Sequence, residues 1–129
     1  MRRELIFIAG LLIPFAAFSQ ENDSIPGNDR YILIFSPDVN NEKYTRELSL
    51  LAKDPLGLDS RNILILEIFP EGGIEADGTS MDKIRAEKFR KDYSVNQDEF
   101  LLILLDTGHQ VRLEKRDTAG CVELFKLLN

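Results

Sequence analysis

RYILIFSPDVNNEKY, residues 30–44, joins an unbroken apolar run to a polar helix start through Ser36-Pro37-Asp38. Tyr31 to Phe35 is β-branched, aromatic and apolar without alternation, the pattern of a strand covered on both faces. Asn40 or Asn41 can cap the helix that follows, and Tyr44, Leu48, Leu51 and Ala52 recur at i, i+4, i+7 and i+8 on one face. Asp54-Pro55 is expected to stop that helix, with Leu56 to Ser60 a loop and Gly57 its site of positive φ. Ile63 to Phe69 is a second buried strand. Two such strands joined by a helix make a βαβ unit, whose crossover is right-handed.

Working outward, Pro70 to Gly78 carries Gly72, Gly73 and Gly78 among acids and reads as a loop. A helix restarts after Thr79 or Ser80 as cap, with Asp82 near its positive end and Met81, Ile84, Phe89 and Tyr93 as an imperfect apolar face. Phe100 to Leu105 is a third buried strand. Asp106-Thr107-Gly108-His109 turns it back into a fourth, Gln110 to Glu114, which alternates as a half-exposed strand does. The last helix, capped by Asp117 or Thr118, sets Cys121, Leu124, Phe125 and Leu128 on one stripe. The order is β-α-β-α-β-β-α, an α/β chain with a four-stranded mixed sheet and helices on both faces.

The N-terminus has another character. Arg2 and Arg3 precede an apolar run from Leu5 to Phe18, then small residues at Ala17 and Ser19. That is the layout of a secretory signal peptide with cleavage after Ser19, shorter than the ~20 residues a spanning helix needs and interrupted by Pro14. The expected division is a signal peptide at 1–19, a flexible polar leader at 20–29 and one domain at 30–129, placing the protein in the periplasm or outside the cell. Membrane attachment is expected only through the signal segment, if it stays uncleaved. Cleavage would remove Arg2, Arg3 and Glu4 and take the formal charge from −6 to −7. So acidic a surface repels phosphate backbones and anionic lipids, which argues against nucleic-acid partners. The one cysteine, Cys121, has no partner for an internal disulfide, and with one histidine no zinc cage can be spaced.

The element order matches the core of the thioredoxin fold. Phe89 to Val95, followed by Phe100 to Gly108, looks like the stretch where thioredoxin-like proteins enter their hairpin. More closely, Arg30-Tyr-Ile-Leu-Ile-Phe35-Ser-Pro37, Arg61-Asn-Ile-Leu-Ile-Leu-Glu67 and the closing Leu124-Phe125 helix resemble a family of small secreted bacterial proteins known only as a domain of unknown function with a thioredoxin-like core. In redox-active members of the fold, the turn after the first strand carries two cysteines, and a cis proline precedes the third strand. Here Ser36 to Asn40 supplies no thiol and Val95 to Glu99 no proline. The resemblance therefore implies a member without dithiol–disulfide exchange.

Ser36-Pro37-Asp38 has two readings. As structure, Pro37 fixes φ and Asp38 bonds backbone amides near the helix start. As function, a helix N-terminus beside a strand end suits a peptide carbonyl or neutral ligand, and Ser36, Pro37, Asp38, Asn40 and Asn41, joined by Asn96 and Gln97, would line a shallow polar recess. The expected function is a non-catalytic module docking an envelope protein or peptide, with no cofactor. Two alternatives stay open. Cys121, on the apolar stripe of the last helix, could be a lone thiol for peroxide reduction, although free cysteine is among the most buried residue types. Glu71, Glu75, Asp77 and Asp82 could hold calcium weakly, although they lack EF-hand spacing and suit a solvated loop. His109, in its turn, is expected to be solvated.

Overall fold

The computed structural model describes residues 27–128; the expected signal peptide and most of the leader lie outside them. The strands are β1 Arg30–Phe35, β2 Ile63–Phe69, β3 Gly72–Ile74, β4 Ser80–Met81, β5 Leu101–Leu105 and β6 Val111–Lys115. The helices are α1 Glu42–Leu51, α2 Pro55–Ser60, α3 Lys83–Asp92 and α4 Cys121–Lys126. One sheet holds all six strands in the order β4-β3-β2-β1-β5-β6. β1 runs parallel to β2, with Arg30 opposite Ile63, and antiparallel to β5, with Tyr31 opposite Leu105. β6 returns antiparallel on β5, with a register shift at Leu104/Leu105.

The strands alternate between two cores, as a period of two requires. Tyr31, Leu33, Phe35, Leu66, Ile68, Leu101, Ile103 and Leu105 face α3, where Ala86 and Phe89 meet them. Ile32, Ile34, Ile63, Leu102 and Leu104 face the other way onto Tyr44 and Leu51 of α1, Leu58 of α2, and Leu124 and Phe125 of α4. β1 and β5 are thus covered on both faces, which is why they read as continuous apolar runs.

The structure departs from the sequence expectation at definite places. The sheet has six strands rather than four, because the Pro70 to Gly78 stretch forms β3 and leads into β4. Its glycines are the reason: a Cβ on Gly73 would lie 2.1 Å from the Glu67 carbonyl oxygen, and Gly72, at φ +146°, would meet the Met81 carbonyl oxygen at 2.7 Å. Asp54-Pro55 begins a helix as well as ending one. Asp54 Oδ1 accepts from the Gly57 amide at 2.9 Å, and Pro55 opens α2, where a missing N–H costs nothing. Gly57 is helical; the positive φ falls at Asn62, 54°. Its role is close approach, since a Cβ there would sit 2.8 Å from the Phe125 ring.

Caps shift too. Asn41 caps α1 through the amides of Lys43 and Tyr44, but α3 is capped by Asp82, because Ser80 is drawn into β4. α4 starts from Gly120 without a side-chain cap, and Asp117 turns instead to the Thr118 amide. Ile84 is 80 % exposed, so α3 packs through Ala86, Phe89 and the buried Arg90. On α1 the buried stripe is Tyr44, Glu47 and Leu51, while Ala52 is exposed.

Candidate functional site

The turn after β1 is built from its own side chains. Ser36 is buried, and its hydroxyl donates to the Asp38 carbonyl oxygen at 2.7 Å. Asp38 Oδ1 accepts from the Asn40 amide at 2.8 Å, and Asn41 Oδ1 from Lys43 and Tyr44 at 3.0 and 3.2 Å. These bonds satisfy the first amides of α1 locally. Ser36 and Asn41 are therefore spent on the fold, and the residue the turn pushes outward is Val39, 56 % exposed. No sequence pattern had singled out Val39; only the closed turn around it shows that it must project.

Beside the turn lies a cavity of about 640 Å³. One wall is Pro37, Asp38 and Val39. The other is the end of β2 with the β3–β4 hairpin: Phe69, Pro70, Gly72, Gly73, Ile74 and Met81, with Glu71 and Ser80 at the side. Its lining is mainly apolar, with two acids, Asp38 and Glu71. The far wall is held from beneath by Arg90, whose guanidinium donates to the carbonyl oxygens of Phe69 at 2.7 Å and Pro70 at 3.3 Å. A buried arginine spent on two backbone carbonyls fixes where β2 ends.

Asn96 and Gln97 are exposed in the loop before β5 and do not line this cavity. The Asn96 amide donates to Glu99, whose carboxyl is held below its ordinary range by that bond and by Arg116. The expected polar recess is thus replaced at Pro37 and Asp38 by an apolar groove with a different second wall.

The acids of the hairpin are each engaged. Both Glu75 oxygens meet Arg85, at 2.7 and 3.1 Å; Asp77 takes the Thr79 amide and hydroxyl; Asp82 caps α3; Glu71 lies 3.6 Å from Lys83. Among the described residues no group of three His, Cys, Asp or Glu is placed to hold a metal ion. Cys121 is half-buried at the first turn of α4, its thiol 3.6 Å from the Leu50 carbonyl oxygen, and burial followed by Asp54 and Glu47 raises its pKa. His109 is half-buried rather than solvated: its ring stands edge-on to Tyr31 at 5.8 Å between centroids, and Nε2 is enclosed.

Sequence reasoning missed Glu47. It is fully buried; Oε1 accepts from the Ala119 amide at 2.8 Å, while Oε2 has no hydrogen-bond partner among the described residues. Burial is the main cause that pushes its pKa up to about 7, opposed by the Ala119 bond.

A family described as "Domain of unknown function (DUF4174)" matches residues 23–128. No curated protein matches. Among solved structures, the reduced 2-Cys peroxiredoxin of Plasmodium vivax superposes with a TM-score of 0.55 at 17 % identity, over 77 % of this chain and 75 % of that one. At that identity the likeness speaks for the thioredoxin-type fold and nothing finer.

Proposed function

We propose, for a chain that belongs to the DUF4174 family, a non-catalytic thioredoxin-fold module that docks a protein or peptide of the bacterial envelope in the groove beside Pro37-Asp38-Val39. The observation that carries this reading is the pairing of an outward Val39 with a mainly apolar cavity of about 640 Å³, within the ~300–1,000 Å³ range of binding pockets. The two acids at its margin and the negative charge of the chain favour a partner segment that is apolar with basic flanks. Residues 1–19, by their layout, would deliver the domain across the inner membrane and be removed.

The thiol-enzyme alternative has less to stand on. A peroxide-reducing cysteine needs a lowered pKa and access, whereas the Cys121 thiol is held against a carbonyl and its pKa is raised. In the folded state we expect Cys121 to react with a thiol reagent at least ~10-fold more slowly than in denaturant. Equal rates would restore the enzyme reading.

The docking reading is tested with peptides selected from a random library on the immobilised chain. Val39→Asp, which sets a charge in the groove, should weaken their binding on the order of tenfold or more, as loss of a central apolar contact does. Lys126→Ala, on α4, should leave it unchanged. Selected peptides indifferent to Val39→Asp would refute the site.

A further inference from the structure

A second cavity, of about 370 Å³, lies on the α1–α2 face of the sheet, over β2 and β3. Its walls are mainly apolar, with Leu48 and Leu51 from α1, Leu58 from α2, Ile65 from β2 and Ile74 from β3; Glu75, paired with Arg85, also borders it. At its floor is Glu67, the one charged residue in the strand ILILEIF. Strand parity puts Glu67 on the same face as Ile63 and Ile65, so its carboxylate points among α-helical apolar residues and away from the α3 core.

The carboxylate is oriented. The Tyr44 hydroxyl donates to Oε1, and Tyr44 is itself buried and edge-on to Phe69, with ring centroids 5.1 Å apart. Burial and the Glu67 carboxylate both raise the Tyr44 pKa, so the phenol keeps its proton and remains the donor. Among the described residues, no Lys, Arg or His pairs with Glu67. The neighbouring Glu75 shows the contrast, since Arg85 neutralises both of its oxygens. A half-buried carboxylate with one neutral donor and no cation is under-compensated in apolar surroundings.

We propose that this cavity is a binding site for a small primary amine, its ammonium on Glu67 and its apolar body between Leu48, Ile65 and Ile74. The reasons are chemical. An anion would be repelled by Glu67, and a neutral hydroxyl could donate one hydrogen bond to the carboxylate but would leave its charge without a counter-ion. A guanidinium binds best through two free carboxylate oxygens, and Tyr44 already occupies one. An ammonium is a point donor that needs only the other. The cavity's volume falls within the ~300–1,000 Å³ range of small-molecule sites. This site is separate from the groove at Val39, apart from Ile74, which borders both.

The test is calorimetric titration of the full chain with n-hexylammonium, 1-hexanol and hexanoate, which share one apolar body. Hexylammonium should bind on the order of tenfold more tightly than hexanol, and hexanoate should not bind. Glu67→Gln keeps an acceptor for Tyr44 and should cut the hexylammonium affinity about tenfold while leaving hexanol unchanged. Should that variant fail to fold, amide NMR on the unaltered chain answers instead: hexylammonium should shift Ile65, Glu67 and Ile74, and hexanoate should not. Equal binding of hexanol and hexylammonium, or no binding of hexylammonium at millimolar concentration, would overturn the proposal.

Discussion

Glu47 is the residue at which the chain departs furthest from ordinary partition of charge. Its carboxyl spans from α1 to the Ala119 amide just before α4, and among the described residues nothing answers its second oxygen. In the fold its pKa is about 7 against an ordinary 4.5. Burial is the first cause, Glu123 adds to it, and Lys115 works against it. A carboxyl whose pKa is higher folded than unfolded holds more protons in the folded state between those values. Its stabilising contribution is therefore full below pH 4.5 and lost as pH rises through 7. We predict that this group lowers stability across that window by at most about 3 kcal/mol, and that Glu47→Gln removes the slope. Urea melts of both chains at pH 5 and pH 8 would show it; parallel curves would mean that Glu47 is compensated. The stripe Tyr44, Glu47, Leu51 follows helical spacing in the sequence, but a charged member is indistinguishable from a solvent residue until α4 and its approach are known.

At the scale of elements, regular runs were legible and short ones were not. β1, β2 and β5 announce themselves by apolar runs interrupted only by Arg30 at the start of β1 and Glu67 within β2, and the β1–α1 and β5–β6 connections by their caps and turn residues. β3 and β4, of three and two residues, are too short to show any period, and α2 hides behind a Pro that usually marks an end. What exists in the sequence is indirect: Asp-Pro suits an N-cap followed by a first helical residue, and paired glycines mark backbones in close approach. The hairpin's dependence on Gly73 gives a prediction. With the Glu67 carbonyl 2.1 Å from a Cβ at that position, Gly73→Ala must displace β3 from β2 and should cost about 1–3 kcal/mol. Gly120, where a Cβ meets nothing within 4 Å, is the control: Gly120→Ser supplies a cap to α4 and should be neutral or stabilise by a few tenths of a kcal/mol. Thermal melts decide it, and an undamaged Gly73→Ala would show that the hairpin is looser than its packing implies.

For the whole molecule, the thioredoxin-type arrangement follows from parallel β1 and β2 linked by α1 and α2 and a hairpin closing on the other side of β1. The groove beside Val39 was half visible. Pro37 and Asp38 could be placed at the strand end from the sequence, but their opposite wall could not, because it is made by the hairpin that read as a loop and by Arg90 reaching from α3. Asn96 and Gln97, in the loop before β5, stand apart from the groove, whose second wall is the β3–β4 hairpin on the β2 side of the sheet. Val39, 56 % exposed, forms part of one wall of this groove. The most direct measurement is in-cell photo-crosslinking with a photoreactive residue at Val39 and, as control, at Lys126. The docking account predicts a discrete adduct from position 39 that is absent from position 126 and lost when a selected groove peptide is added in excess to permeabilised cells. The same adduct from both positions, or none from position 39, would contradict it.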